Sequence, residues 1–331
     1  MGKKSKRGSG PRPGSNRAER VAARKARQVA ALAAPVRPLA GLKAECDLVA
    51  MRAFIASATA EVPYAKSFDA AHEADFATIL PGAVAAEVRR RDAAVFGEKG
   101  AAPGDADGTV TQGMVGLQTN PEPADLAGSL ASALEWASNA ALGDEYNGAS
   151  GDGAPGDGSP GEPALTEILD ADADLDIVVH TDFGWWFADD AKVSPELSMM
   201  LERANETILP TARLRPKSGV GAPWWVDAGD KAHLRWVRPE DETELMNALA
   251  RVHAAGHLTL GEGSRFAGSF RTHGLIVPVF DLDVEAHHEE WIDGVDEFDA
   301  RLTEALADSS ELTAAERSSR AGIIGRQVTL R

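Results

Sequence analysis

The side chains best suited to chemistry surround one glycine-rich turn in the last third of the chain. Arg265, Arg271 and His273 place three potential cations close together in a sequence that is acidic elsewhere. Clustered cations bind phosphate or carboxylate groups, but they also pair with neighbouring acids such as Asp281 and Asp283. We therefore predict an anion-binding candidate here, with structural ion pairing as the alternative.

The glycines of this turn do not complete a nucleotide-binding loop. Gly263 and Gly268 have the spacing of a phosphate loop, whose backbone N–H groups wrap a phosphate. The motif then requires Lys followed by Ser or Thr, whereas Ser269 and Phe270 follow here. The spacing therefore favours a bend between two β-strands.

The sequence lacks motifs for metal-dependent or covalent catalysis. Aspartates alternate after Ile168 as in a calcium loop, but Leu175 and Thr181 replace the Gly and Glu that the loop requires. The lone Cys46 has no activating neighbour, and no Gly-x-Ser-x-Gly occurs. The other His and acid sets lack zinc-site spacing: His180 with Asp182, and Asp281 and Asp283 with His287 and His288. We expect no metal and no cofactor, and favour a non-enzymatic protein over an enzyme.

The N-terminal segment has the strongest charge contrast in the chain. Residues 1–27 have ten basic residues against the single acid Glu19, which leaves 24 basic and 50 acidic residues, so a segment of charge +9 precedes a body of charge −26. Lys and Arg at this density bind nucleic-acid phosphates without reading sequence. A solubilising tail, or an arm that lies against its own body, is the alternative. The candidate contacts are Lys3, Lys4, Lys6, Arg7, Arg12, Arg17, Arg20, Arg24, Lys25 and Arg27.

Aromatic side chains are concentrated after residue 180, where six of the seven tryptophans lie. Trp185 is followed by Trp186, and Trp224 by Trp225. An exposed indole stacks on bases or sugars. These pairs have aspartates rather than Lys or Arg nearby, so packing in a core or against a protein partner is the favoured interpretation.

The elements around the glycine-rich turn are the best-defined part of the predicted fold. Residues His257–Glu285 predict two strands joined by the turn, and the densest apolar run, Gly274–Asp283, predicts a strand inside the main core. Ala222–Asp227 and Ala232–Val237 predict a second strand pair, and Pro239 precedes an amphipathic helix.

Composition divides the chain into four segments. Residues 1–34 predict a basic arm, disordered or helical, and residues 143–163 are rich in Gly, Pro, Ser and Asp, as is typical of a flexible linker. Residues 35–142 and 164–331 each mix strand and helix patterns. We predict an α+β fold of two sequential mixed subdomains, with an internal duplication left open.

The chain has no feature of an exported or membrane protein. Cys46 is the only cysteine, so a disulfide within the chain is impossible and a reducing compartment is expected. The apolar stretch Val29–Ala34 is too short for a signal peptide or a membrane span. We expect a cytoplasmic protein with no membrane partner.

Four stretches together carry a resemblance: GKKSKRGSGPRPGSNRAERVAAR, RPLAGLKAECDLVAMRAFI, LGEGSRFAGSFRTHGLIVPVFDLD and LTAAERSSRAGIIGRQVTLR. From Pro35 onward the chain resembles an uncharacterised actinobacterial family of unknown function. The resemblance implies no established activity. Some relatives look as though they begin with a zinc-binding SEC-C motif, which has led to translocase-like names. This sequence has no Cys-rich N-terminal segment, so neither zinc nor export is implied.

These observations lead to one hypothesis and two alternatives. The leading hypothesis is a non-enzymatic cytoplasmic binding or adaptor protein, whose basic arm contacts RNA or ribosomes and whose acidic body binds a protein partner. The first alternative is an enzyme or small-ligand binder with an anion site at Arg265, Arg271 and His273. The second is a purely structural subunit.

Overall fold

A computed structural model describes residues 37–92, 109–146, 164–187 and 194–329. Within them the chain forms seven α-helices and eleven β-strands, and the strands build two sheets. The predicted α+β class is therefore confirmed. The predicted basic arm and most of the predicted linker lie outside the described residues.

The first sheet has five strands: β1 Ala58–Glu61, β2 Ala74–Ala77, β3 Ala86–Asp92, β4 Thr109–Gly116 and β5 Ile177–Val179. Their order is β3-β4-β2-β1-β5, and all neighbours are antiparallel except the parallel pair β2 and β4. β5 follows the predicted linker in sequence, yet it pairs with β1. Part of the predicted C-terminal subdomain thus completes the first sheet, and the proposed division into two domains stays a prediction.

The second sheet has six strands: β6 Thr211–Arg213, β7 Ala222–Asp227, β8 Ala232–Val237, β9 Arg265–Thr272, β10 Leu275–Leu282 and β11 Gln327–Thr329. Their order is β11-β9-β10-β8-β7-β6, with only β9 and β11 parallel. The strand pair predicted around residues 228–231 is confirmed. His257–Glu285 also contains two paired strands, but the bend predicted from Gly263 and Gly268 is wrong, because Gly268 lies inside β9 and the turn is formed by His273 and Gly274. The strand order differs from that of the first sheet.

The helices are α1 Glu45–Ala53, α2 Leu126–Ala137, α3 Leu165–Ile168, α4 Pro195–Asn205, α5 Glu242–Ala254, α6 Ile292–Ala307 and α7 Ala314–Ile324. α1 lies in a core that both sheets share and contacts β7 and β8. α2 packs on β3 and β4 so closely that a Cβ added at Gly113 would collide with the carbonyl oxygen of Ala137. α5, α6 and α7 enclose a second core on the other side of the second sheet.

The central strand of the second sheet is buried on both faces. Leu275 and Val277 of β10 face the shared core, whereas Ile276 and Phe280 face the core under α5, α6 and α7. Successive side chains of a strand point to opposite faces, so a continuous apolar run is what such a position requires. The predicted interior position of this strand is confirmed.

Charge that is buried beside the second sheet is fully paired. Arg238 is 1% exposed, and its Nη1 donates to Asp299 Oδ1 at 2.8 Å. Its Nε donates to Glu240 Oε2 at 3.0 Å, and its guanidinium lies 4.9 Å from the centroid of the Trp236 ring. This arrangement ties the end of β8 to α6.

Candidate functional site

The face of the first sheet opposite its core is polar. Strand alternation sends most small and apolar side chains to the core and the intervening residues, mainly polar but including Ala77 and Met114, to this second face. We call it the polar face, defined by Glu61, Asp75, Glu87, Arg89, Arg91 and Gln112.

Asp75 and Gln112 form the buried centre of the polar face. Gln112 is 1% exposed and Asp75 is 9% exposed. Gln112 Nε2 donates to Asp75 Oδ2 at 2.8 Å, whereas the buried Gln112 Oε1 has no hydrogen-bond partner among the described residues. Burial raises the pKa of Asp75 to about 6, although Arg91 and Arg89 oppose the rise. Groups with such shifted pKa values are concentrated at functional sites.

Arg89 connects the polar face to an aromatic turn. Its Nη1 donates to the carbonyl oxygen of Trp185 at 3.0 Å, and its Nη2 lies 3.1 Å from the sulfur of Met114. Glu87 lies 3.7 Å away. Burial lowers the pKa of Arg89 to about 10, and its buried Nε has no partner in the described part of the chain. Arg89 is therefore still a cation at neutral pH, with one N–H left to donate.

The aromatic turn, Phe183 to Phe187, covers one end of the polar face. Trp185 packs against the small cluster around Met114, and its Nε1 donates to Ser57 Oγ at 2.9 Å. Trp186 Nε1 donates to the carbonyl oxygen of Ile79 at 2.9 Å. The indoles of this turn therefore pack within the protein, as the favoured interpretation of the tryptophan pairs predicted.

His180 stands beside this turn at the end of β5. Its ring stacks on that of Trp185 with centroids 5.4 Å apart, and its Nε2 lies 2.9 Å from Thr59 Oγ1. Burial lowers the pKa of His180, although Asp182 opposes the shift. His180 is thus held as a neutral partner of Thr59 at neutral pH.

The two arginines predicted to bind an anion lie far apart along β9. Arg265 is at its start and donates to Asp281 Oδ2 of β10 at 2.7 Å. Arg271 is near its end and pairs with Glu242 of α5. Six positions of strand correspond to roughly 20 Å at about 3.3 Å per residue. Each arginine already has a carboxylate of its own.

His273, the third predicted anion ligand, lies in the turn between β9 and β10 with φ +47°. Its Nε2 accepts a hydrogen bond from Arg52 Nε at 2.9 Å, and its Nδ1 lies 2.8 Å from Thr272 Oγ1. Burial and the Arg52 charge lower the pKa of His273 to about 4, so the ring is neutral. The structure does not gather the three residues into one pocket, and anion binding by them stays a prediction.

Other groups considered for catalysis have structural surroundings. Cys46 is buried, and burial raises its thiol pKa to about 12, which keeps the sulfur protonated. Within the described ranges, no group of three or more His, Cys, Asp and Glu side chains has a metal-binding arrangement. The same ranges contain no helix with the length and apolar character to cross a bilayer. The predicted nucleic-acid contacts from Lys3 to Arg27 lie outside the described residues.

Sequence reasoning missed Asp75 and Gln112 as site residues. Neither belongs to a known motif, and they are separated by more than thirty positions. The available signal was strand alternation in AEVRRRD, where Glu87, Arg89 and Arg91 occupy every second position; TVTQGMVG has only Gln112 as a polar residue on the same face. That pattern predicts a polar sheet face but does not show which polar side chains become buried.

These features define an α+β protein in which two sheets share a core and one sheet keeps a polar face with a buried carboxyl. The chain belongs to the family of unknown function DUF5926, whose model matches residues 38–331. The predicted resemblance to a family of unknown function is thereby confirmed. No curated protein and no solved structure matches the chain significantly.

Proposed function

We propose that the chain is a non-enzymatic binding protein whose basic arm, residues 1–34, contacts RNA or ribosomes and whose acidic body binds a protein partner. The observation that carries this proposal is the separation of charge, +9 in residues 1–27 against −26 in the remainder. An arm of this charge is attracted to phosphates, whereas the body is repelled by them.

Ion pairing in the body supports the assignment of phosphate contacts to the arm. Arg213, for example, donates to both carboxylate oxygens of Asp47, at 2.7 and 3.2 Å. A cation that is already paired with a carboxylate is less available to bind a phosphate. Further cations of the body with carboxylate partners are Arg37, Lys43, Lys217, Lys231, Arg238, Arg251, Arg265, Arg271 and Arg301.

The test compares the full chain with a variant in which all ten Lys and Arg of residues 1–27 are changed to Gln. Length is kept, so only charge differs. Binding is measured by anisotropy with a labelled single-stranded RNA and by co-sedimentation with ribosomes, each across a salt series. We expect the natural arm to bind with an affinity that falls steeply with salt, by about 0.7 logarithmic units per logarithmic unit of salt for each phosphate contacted.

The matched control removes charge from the body instead of the arm. Lys217→Gln combined with Arg301→Gln removes the cations of two ion pairs of the body and is expected to leave RNA binding unchanged. The proposal fails if the neutral arm binds as well as the natural one, or if binding does not respond to salt.

The proposed location is the cytoplasm, because Cys46 is a free thiol and a reducing compartment suits a chain with no second cysteine. The alternative of a small-anion site at the glycine-rich turn has less support, since Arg265 and Arg271 each have a carboxylate partner. Its test is separate: Arg271→Gln should then abolish phosphate binding to the body.

A further inference from the structure

We propose that a small organic carboxylate binds to the second sheet at Arg235, with the apolar part of the ligand on the side chains beside it. This inference goes beyond RNA contact by the arm, because it assigns a separate ligand to the body. It rests on a cation without an anionic partner and on the half-exposed side chains around it. We call this place the Arg235 corner, defined by Phe54, His233, Arg235, Phe270 and Val279.

Arg235 differs from the other arginines in the strands of the second sheet. Arg213, Arg265 and Arg271 each pair with a carboxylate. Arg235 of β8 has no carboxylate and no hydrogen-bond partner among the described residues. Burial lowers its pKa, and no described acid opposes the shift. An anion bound there would compensate a half-buried charge that the protein itself leaves uncompensated.

The ring of Phe54 holds the guanidinium of Arg235 in place. Phe54 directly follows α1, and the centroid of its ring lies 5.4 Å from the guanidinium carbon. A guanidinium over an aromatic ring keeps the N–H groups at the edge of its plane free, and two of them match the two oxygens of one carboxylate. Arg235 is half-buried, and none of its nitrogens is enclosed without a partner as Arg89 Nε is. A ligand can therefore reach them.

The strand positions beside Arg235 leave the corner open. Val279 of β10 lies directly opposite Arg235, and Gly268 of β9 lies directly opposite Val279, so no side chain stands beyond the valine in this row. His233 is two positions from Arg235 on β8, and both His233 and Val279 are half-exposed. The surface of the sheet beside the end of α1 is therefore accessible to a small molecule.

The apolar wall of the corner is aromatic. Phe54 and Phe270 are both half-buried, and their rings meet edge to face with centroids 6.0 Å apart. Phe270 is on β9 and Arg235 is on β8, so the two flank β10 and its side chain Val279. A ligand with its carboxylate at Arg235 would lay its carbon atoms over Val279, against these rings.

The charge of the body favours a ligand with a single negative charge. Asp281 lies on the same face, two positions from Val279, but it is held by Lys231 and Arg265. The chain after residue 27 has a charge of −26, which repels small molecules with several negative charges. A monocarboxylate therefore suits the corner better than a phosphate ester does.

The experiment titrates the full chain by calorimetry with benzoate and with hexanoate, as an aromatic and an aliphatic probe, at constant ionic strength. Benzamide and hexanamide keep the shape of the probes and remove their charge. We expect at least one carboxylate to bind, and its amide to bind at least about tenfold more weakly, a loss of about 1.4 kcal/mol. Phenyl phosphate, with its second charge, should bind more weakly than benzoate.

Two variants probe the site, and one controls for charge. Arg235→Gln removes the cation, and Arg235→Lys keeps the charge but loses the planar pair of donors. Both are expected to weaken binding of the carboxylate, Arg235→Gln by at least about tenfold. Arg271→Gln removes one positive charge from β9 of the same sheet and should bind as the natural protein does.

Several outcomes would overturn the inference. These are the absence of binding by both carboxylates, an amide that binds as tightly as its acid, equal affinity of the Arg235→Gln variant, or tighter binding of phenyl phosphate than of benzoate. Loss of binding in Arg271→Gln would move the site to the glycine-rich turn. If Arg235→Gln does not fold, Arg235→Lys and the amide series still decide. RNA binding by the neutral-arm variant is measured independently, so failure of one proposal is distinguishable from failure of the other.

Discussion

The two sheets of this protein differ in the side chains that they bury on their second face. β10 of the second sheet buries Val277 on one face and Phe280 on the other, so both faces are packed. The first sheet has its main apolar core on one face, and the other face buries Asp75 and Gln112, at 9% and 1% exposure, beside the small cluster under Trp185. The central strand of the second sheet is buried by apolar packing on both faces, whereas the first sheet retains buried polar groups that packing alone does not require.

The difference extends to how buried charge is compensated. Beside the second sheet, Arg238 has carboxylate partners in both Asp299 and Glu240. On the first sheet, Asp75 has an amide rather than a cation as its hydrogen-bonding partner, and Gln112 Oε1 has none in the described residues. Incomplete satisfaction of this kind costs stability. The second sheet also has buried atoms without a partner, such as Trp224 Nε1 and Ser269 Oγ, so the two sheets differ in how buried charge is paired and not in whether every polar atom is satisfied.

The largest change in the free energy of unfolding should come from removing the buried cation beside the second sheet. Arg238→Met leaves the buried Asp299 and the half-buried Glu240 without their cation, which should lower the free energy of unfolding by about 3–5 kcal/mol. Denaturant titration measures the change. Arg301→Met is the matched control, because its exposed pair with Glu297 contributes no more than about 0.5 kcal/mol. Equal losses in the two variants would mean that burial of Arg238 is not important.

Removal of the buried charge of Asp75 on the polar face should raise the stability of the protein, whereas removal of Arg238 lowers it. The raised pKa of Asp75, from 3.8 to about 6, means that the folded protein favours the protonated carboxyl. Its contribution to stability is full below pH 3.8 and is lost as pH rises through 6. Asp75→Asn should therefore stabilise the protein by up to about 3 kcal/mol at neutral pH, at about 1.4 kcal/mol per pKa unit.

The measurement for Asp75→Asn is the difference in melting temperature from the natural protein, taken at several pH values. The difference should grow between pH 4 and pH 7. The charged groups that face Asp75 are Glu61 from β1 and Arg89 and Arg91 from β3. A difference that is constant across this range would show that Asp75 titrates as an ordinary exposed carboxyl.

Packing of α6 against the segment between α5 and β9 should give an intermediate loss of stability. Gly294 of α6 lies so close to the carbonyl oxygen of Leu260 that an added Cβ would collide with it. Gly294→Ala should therefore cost about 1–3 kcal/mol, although alanine is the better helix former. Gly322→Ala in α7 has open space around the new methyl group and should be neutral or stabilising by up to about 1 kcal/mol. The same denaturant titration should give opposite signs for the two variants.

The smallest change in the free energy of unfolding should come from a substitution on β5, at the edge of the first sheet. Val178 is 53% exposed on β5, so Val178→Ala should change the free energy of unfolding by less than about 0.5 kcal/mol. Val277→Ala removes buried methyl groups from β10 and should cost about 1.5 kcal/mol or more. Similar losses in thermal unfolding would show that the first sheet has a partner on this side in solution.

Much of the second sheet was predictable because its signals are local. The apolar run of β10 and the turn between β7 and β8 each depend on a few adjacent residues. The first sheet was harder, since its strands are short and β2 joins β4 in a parallel pair that no local signal specifies. β5 follows a segment of linker composition, which favoured assigning it to the next subdomain.

The candidate site was less predictable than the fold. Arg265 and Arg271 were predicted to surround one turn, but both lie on β9, which separates them and provides each with its own acid. Asp75 and Gln112 meet only because β2 lies beside β4, so their contact depends on tertiary pairing. Residue type and spacing show which groups are available, whereas pKa shifts and missing partners depend on burial that only the fold determines.

The pairing of β5 with β1 also affects the order in which the protein can be completed during synthesis. Until residues 177–179 have left the ribosome, β1 has an open edge with unpaired N–H and C=O groups. The first sheet is therefore finished late, although four of its five strands are made early. The same pairing should hold the two parts together after a single cut between residues 147 and 163, so the nicked chain should migrate as one species until it is denatured.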